Sequence, residues 1–537
     1  MRFRRPSNKS AAALLLAAAI TLGGCAREVA IRDRNVIFVV ADTLRRDALS
    51  IHGGSTPTPN LDHLAKLGVR FERAYSHVAV TGPSHASIFT GLLPSEHGAL
   101  INTDPLPGKL TTLAEILLDR GYHTTAVVSL GVLKSKYGFA QGFTEFDDTF
   151  GDNFFRPGDE ITAAALDWLA ADPQNPFFLW LHYSDPHEPY SPPTETFADI
   201  EVWLNSQHLQ TISTNGYRQI IELDLQSGEN TLVFASPRGE IETDNKLEFH
   251  QVRLWGEKVS MTSRGAWLND EEAANRAVLR LDGSSALPAA LTITNHLAQP
   301  QSVKLTLLCH EKYTREKARR LYHEETAFLD RQIGKLTAEL ERLDILHDSI
   351  LVFTSDHGEG LGDHDLLGHI HQVYDSLLRV PLFVAAPGQL PEDVVVDSPV
   401  RHIDILPTLL DLLQIEPPYD LSGASLAPMI FGDSPQVSLP IISGAYRPLA
   451  RSDLQSLIRF PYKYILDLQT SREELYDLSN DPGELSNLIH EQPEIAAELR
   501  QTLQLAGETG RDTTAREEAP ELTQEEIDKL EALGYVN

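Results

Sequence analysis

Three unbroken apolar runs in this chain each stop at residues that can do chemistry. Asn35-Val-Ile-Phe-Val-Val-Ala leads into Asp42, Pro176-Phe-Phe-Leu-Trp-Leu into His182, and Ser349-Ile-Leu-Val-Phe-Thr-Ser into Asp356-His357. Runs without polar alternation are strands buried on both faces, as in a largely parallel sheet covered by helices. The segments between them carry helical spacing: Pro59 to Lys66 closed by Gly68, and Thr112 to Arg120 closed by Gly121, before a further strand at Thr124 to Ser129. Alternating strands and helices predict an α/β fold, a central mostly parallel sheet flanked by helices. In such sheets ligands gather beyond the carboxyl ends of the strands. That topology brings Asp42, the His182 to His187 segment and Asp356-His357 to one edge.

Between 200 and 308 the texture changes to short alternating segments bounded by Gly, Asn and Ser. Arg218 to Leu225, Asn230 to Ala235, Val278 to Gly283 and Ala290 to Asn295 are the clearest. They predict an all-β, sandwich-like insertion that splits the α/β unit into 25–199 and 309–505. Helical pattern resumes from Tyr313 to Leu343, and an acid-rich tail is expected over 506–537. The formal charge of −31, from 76 acids against 45 bases, argues against nucleic acid as a partner. With only Cys25 and Cys309, there is no disulfide framework. Residues 1–24 pair a basic start with an apolar Ala11 to Leu22 stretch, ending Leu22-Gly-Gly-Cys25. The pattern resembles a bacterial lipoprotein signal with Cys25 as the lipidated residue, the alternatives being a plain secretory signal or an uncleaved anchor. It sets the expectation of a lipid-anchored protein of the cell envelope, at the outer membrane where one exists. Cys309 reads as a small core hydrophobe.

Chemistry concentrates in three segments. Thr354 to His371 carries four histidines and four acids after a buried strand, and Asp oxygen and neutral His nitrogen are donors that zinc, manganese or calcium accept. Val80-Thr-Gly-Pro-Ser-His-Ala-Ser-Ile-Phe-Thr-Gly91 has Pro83 suited to the first turn of a helix and Gly91 to its end. Thr81 then stands just outside a helix N-terminus, either as an ordinary cap or as a hydroxyl nucleophile beside an anion held at the helix end. His182-Tyr-Ser-Asp-Pro-His-Glu-Pro-Tyr190 offers His187 as a donor to a substrate oxygen.

Taken in order, these pieces resemble the sulfatase family of the alkaline-phosphatase superfamily. Ala41-Asp-Thr-Leu-Arg-Arg-Asp47, Thr58-Pro-Asn-Leu-Asp62, Pro83-Ser-His-Ala-Ser87, Pro94-Ser-Glu-His-Gly98 and Ser355-Asp-His-Gly-Glu359 carry the likeness. Arg379-Val-Pro-Leu382, Asp404-Ile-Leu-Pro-Thr408 and Leu475 to Glu484 extend it. The resemblance implies a hydrolase with Asp42, Asp356 and His357 holding a divalent metal (calcium, manganese or zinc), and Thr81 completing that site as nucleophile. His85 stands where the family usually has Arg, His369 where it has a substrate-binding Lys, and His187 at its substrate histidine; Asn102 aligns loosely near the site. Family members of the common type convert a Cys or Ser into formylglycine; Thr81 cannot yield that aldehyde, so no formylglycine is expected. The usual second Asp is Thr43 here. Asp185, His187 and His369 leave room for a second ion. A metal-bound Thr81 favours phosphate or phosphonate esters, while the family name favours sulfate esters. The substrate is then a sulfated or phosphorylated small molecule, glycan or lipid. Two rivals stand beside hydrolysis: transfer of a phospho-group to an envelope glycan or lipid, and a non-catalytic glycan-binding homologue.

Overall fold

The structure is a computed structural model. It describes residues 34–509 apart from 151–154, 172, 174–175, 195–198, 214, 236–246, 256–257, 264–266, 270–276, 281–288, 312–313, 433–438 and 447–452, together with 520, 523 and 527. Cys25 and the rest of the expected signal lie outside the described residues, as does the side chain of Cys309. The central sheet has eight strands: β1 (Asn35–Ala41), β2 (Gly68–Tyr75), β3 (His123–Val127), β4 (Glu145–Asp147), β5 (Phe177–Tyr183), β16 (Ser349–Ser355), β19 (Arg379–Ala385) and β20 (Val394–Arg401). Ten further strands, β6–β15, fill Asp199 to Glu311, and the two-residue strands β17 (Gly360–Leu361) and β18 (Leu367–Gly368) form a hairpin. The order across the central sheet is β20-β2-β19-β16-β1-β5-β3-β4, and β19 alone runs antiparallel to its neighbours.

The apolar runs lie at the middle of this sheet: every residue of β1, β5 and β16 is buried. One face packs Phe38, Trp180 and Val352 against the Thr81–Thr90 helix; the other packs Ile37, Leu179 and Phe353 against the Gly158–Ala170 and Arg315–Arg342 helices. Burial on both faces accounts for the absence of alternation in these sequences. The helix expected to close at Gly68 is capped by Leu67, and Gly68 already belongs to β2.

The insertion forms two five-stranded sheets, one of β6 (Asp199–Leu204), β7 (Gln207–Ser213), β9 (Gly228–Ala235), β11 (Val259–Ser263) and β14 (Ala289–Asn295). The other holds the remaining five strands of that segment, and Ile200, Ile221, Phe234, Ile293 and Leu305 share one core between the two. The last described helix, Pro493–Thr509, runs past the expected start of the tail at 506.

A four-stranded antiparallel sheet, β21 (Ile441–Ala445), β22 (Leu454–Arg459), β23 (Tyr462–Asp467) and β24 (Glu473–Asp477), closes the C-terminal part. It is tied to the site by a fully buried ion cluster. Lys463 Nζ lies 2.9 Å from Asp375 Oδ1 and 2.8 Å from Glu484 Oε1, and the Asp375 N–H donates to Glu484 Oε2 at 2.6 Å. Asp375 opens the short Asp375–Leu378 helix, whose Leu377 carbonyl accepts the Gly358 N–H at 2.8 Å. Approach is so close that a Cβ on Gly358 would lie 2.1 Å from the Ser376 carbonyl oxygen. Lys463→Met leaves two buried carboxylates without their cation. The expected cost is about 3–5 kcal/mol, read as a drop in the urea midpoint.

Candidate active site

β1, β5 and β16 are adjacent and parallel, so the residues after them emerge together. Asp42 follows β1 and donates its N–H to the Tyr183 carbonyl at 2.8 Å; Asp356 and His357 follow β16. All three side chains are fully buried. Each turns one atom, Asp42 Oδ1, Asp356 Oδ2 and His357 Nε2, to a place where no hydrogen bond reaches it. His357 Nε2 is 3.4 Å from Asp356 Oδ2 and 3.9 Å from Asp42 Oδ1. Buried polar atoms left unpartnered carry a substantial penalty, and two oxygens facing an imidazole nitrogen form a donor set for a divalent cation. The His357 Nδ1–H donates to the Gly358 carbonyl at 3.0 Å, which fixes the tautomer that leaves Nε2 as the ligating lone pair. Among the described residues this is the one His, Cys and carboxylate group at metal spacing.

The expected second-ion set is not assembled. The Asp185 carboxylate turns against Gly158 at the start of the Gly158–Ala170 helix, where burial pushes it up to about 7.

Thr81 is the first residue of the Thr81–Thr90 helix, with Val80 at the cap position and no side-chain cap bond. It therefore does not act as a cap. Its buried hydroxyl donates to Asp42 Oδ2 at 3.4 Å, at the edge of the metal cluster. The helix end is less open to an anion than its sequence suggested. Asn102 Oδ1 accepts the Gly82 N–H at 2.7 Å, Pro83 has no N–H, and the Ser84 N–H is bonded to the Val80 carbonyl. The other end of the same amide, Asn102 Nδ2, is a buried donor with no hydrogen-bond partner.

His85 lies one turn along the same helix and donates Nδ1–H to the Thr81 carbonyl at 2.8 Å. Its ring packs 5.0 Å from the His182 ring and 5.5 Å from Trp180. Sequence reasoning noted His182 only by position. Its Nδ1 meets Ser129 Oγ at 2.8 Å, and its Nε2 lies 3.6 Å from Asp42 Oδ2, beyond hydrogen-bond distance. His187 and His369 meet ring to ring at 5.0 Å, and His369 lies 4.6 Å from the His357 ring. Desolvation holds His187, His357 and His369 down at about 3 and pushes Glu359 up to about 7. His187 bonds its Nδ1–H to the Glu188 carbonyl.

Of the acid- and histidine-rich loop, Asp356, His357, Glu359 and His369 gather at the site, with His371 beside His369. Asp363 pairs with Arg45, Asp365 with Arg315, and His364 stacks on Tyr374.

The profile of the sulfatase family matches residues 34–415, and that of the N-sulphoglucosamine sulphohydrolase C-terminal region matches 362–508. The chain belongs to the sulfatase family. This sulfatase-family hydrolase is 26% identical to the N-acetylglucosamine-6-O-sulfatase of Bacteroides thetaiotaomicron, over 92% of this chain and 90% of that one. Its fold is shared by the phosphonate monoester hydrolase of Agrobacterium radiobacter, at TM-score 0.60 and 20% identity over 89% of this chain and 96% of that one. A structure solved with its substrate D-glucosamine-2-N,6-O-disulfate shares it too, at TM-score 0.62 and 20% identity over 90% and 99%.

Proposed function

We propose that this sulfatase-family chain hydrolyses phosphate or phosphonate esters, or sulfate esters, through a covalent ester on Thr81, with formylglycine playing no part. The observation that carries the reading is the Thr81 hydroxyl bonded to Asp42 at the edge of the Asp42, Asp356 and His357 cluster. When bound there, a divalent ion supplies positive charge that eases loss of the hydroxyl proton and offsets the negative charge of the substrate.

The chain's own residues do the rest. Asp42 Oδ2 holds the hydroxyl proton, the Thr81 oxygen attacks phosphorus or sulfur in line, and the ester oxygen leaves on the opposite side. In this reading Asn102, whose Oδ1 holds the Gly82 N–H next to Thr81 and whose buried Nδ2 has no hydrogen-bond partner, donates to a non-bridging oxygen of the transferred group. His85 and His369 stand where the family usually has Arg and Lys, which lowers the fixed positive charge around a bound anion. The phospho-ester side is favoured by the nucleophile, a Thr81 hydroxyl in place of formylglycine. The substrate class follows the relatives: the Bacteroides sulfatase is named for a sulfated amino sugar and the Agrobacterium hydrolase for phosphonate monoesters, which supports an anionic ester on a small molecule or glycan. The order of residues 1–25 supports anchoring through a lipidated Cys25 in the cell envelope.

A paired screen on 4-nitrophenyl sulfate, 4-nitrophenyl phosphate, a bis-aryl phosphodiester and an aryl phosphonate, with metal content measured, tests the reading. Turnover of the phosphodiester or phosphonate above the sulfate is expected, with one divalent ion per chain. Turnover of none of the four overturns it.

A further inference from the structure

A polar cavity that the proposed reaction does not use opens at the same sheet edge as the catalytic cluster. β19 runs against β16, so its first residue, Arg379, stands at the edge where β16 ends. Arg379 and Arg46 both line a cavity of about 350 Å³ there, whereas Asp42, Thr81, Asp356 and His357 do not. We infer that this cavity is a second anion site, in which the Arg46 and Arg379 guanidiniums hold a small oxyanion of the sulfate or phosphate kind. The inference stands apart from the Thr81 reading.

Three guanidiniums gather around one carboxylate. Arg46 Nη2 bonds to Glu72 Oε2, and Arg70 Nε donates to Glu72 Oε1 at 2.7 Å. Arg379 donates Nε and Nη2 to the Glu72 backbone carbonyl at 3.3 and 2.9 Å, an acceptor with no net charge. Glu72 is thus the one carboxylate bonded to any of the three among the described residues. Arg46 shows the shortage most directly: its Nε is buried and has no hydrogen-bond partner. Burial, and then the neighbouring Arg379 charge, pull its guanidinium below the ordinary value. A buried donor without an acceptor, beside a like charge, is costly, and one anion shared by Arg46 and Arg379 would relieve both.

Acids also line the cavity, but each is already held. Arg45 gives Nε and Nη2 to Asp47 at 2.9 and 2.7 Å and Nη1 to Asp363, while Asp375 and Glu484 share Lys463. The unspent positive charge is therefore local to the Glu72 end. The formal charge of −31 on the chain as a whole makes such a local surplus the place where a small anion gains most.

Full-length Asp356→Asn, from which the catalytic ion is expected to be lost, leaves this cavity intact and removes the rival place for an anion. Calorimetric titration of that chain with sodium sulfate at constant ionic strength should find one sulfate per chain. Arg46→Met in the same background should weaken the binding about ten- to a hundredfold. Arg379→Lys keeps the charge but loses the planar fork, and should weaken it less than Arg46→Met does. Selenate, a sulfate analogue located by its anomalous scattering, should appear in soaked crystals of the parent chain within hydrogen-bond reach of Arg46 Nε, a readout independent of how the variants fold. Glucose 6-sulfate in the same titration separates two sources of the ligand. Affinity at least about tenfold above that of free sulfate supports an oxyanion carried on a sugar, and equal or weaker affinity supports the free ion. Sulfate binding unchanged in Arg46→Met, or selenate absent from this cavity, overturns the site. A parent chain that turns over no ester would sink the Thr81 reading and leave the sulfate result as expected.

Discussion

Thr81→Ala is expected to lose at least about 10⁴-fold in kcat/KM on the best ester while keeping its metal. The substitution removes the attacking oxygen but leaves Asp42, Asp356 and His357, whose three unpartnered donor atoms are enough to keep an ion bound. The fold should tolerate it. One buried hydrogen bond of 3.4 Å to Asp42 is lost, worth roughly 1 kcal/mol, and the helix keeps its Val80 cap position. Thr81→Ser restores a hydroxyl at the same helical position and should recover most of the turnover, which separates loss of the nucleophile from disturbance of the helix start. Metal analysis of both variants completes the test. Normal turnover in Thr81→Ala would sink the proposed mechanism. Loss of metal in that variant would move Thr81 from attacking group to structural support.

How far the sequence carried differs between fold and site for physical reasons. β1, β5 and β16 were legible because burial on both faces leaves unmixed apolar runs, and their parallel pairing then determines which loops meet. The direction of β19 was not legible, since an apolar run reads the same whichever way its strand points. The C-terminal sheet was missed because its strands are short and their burial does not alternate regularly: Glu473–Asp477 has three consecutive buried residues between two intermediate ones. In the site, Asp42, Asp356, His357 and Thr81 converge as their strand-end and helix-start positions demanded. Failures came where a contact depends on residues far apart in sequence. Nothing near Gly82 announces that Asn102 takes its N–H, and nothing in Asp185 announces that its carboxylate turns toward Gly158. Glu359 looked like one acid among four. Its full burial, against the partly exposed Asp363 and exposed Asp365, is what distinguishes it, and burial is set by the hairpin.

Metal affinity should strengthen steeply from pH 5 to pH 8, and the sign follows from which groups must lose protons. Desolvation raises Asp42 well above the usual carboxylate value and Asp356 to about 6 in the metal-free chain. A cation entering at low pH must therefore displace protons from these carboxylates. His357, held at about 3 by burial, is already neutral and offers no competition. Below the raised values each displaced proton weakens binding about tenfold per pH unit, and above them the dependence flattens. The fold's own stability is a poorer readout because two contributions oppose. Raised carboxylates stabilise the metal-free fold at low pH and lose that contribution as pH rises from about 4 through about 6. Buried histidines such as His187 and His369, depressed to about 3, act the other way: the unfolded chain takes up protons below about 6.5 that the folded chain refuses, so their contribution grows as pH rises. The difference in melting temperature with and without metal cancels both. It should widen between pH 5 and pH 8, reaching a stabilisation of about 2.7 kcal/mol where the ion is at a hundredfold its Kd. Asp356→Asn removes a donor together with a competing proton, and should abolish the shift and the turnover at every pH. A metal-dependent shift that is flat with pH, or one that survives in Asp356→Asn, would place the ion elsewhere in the chain.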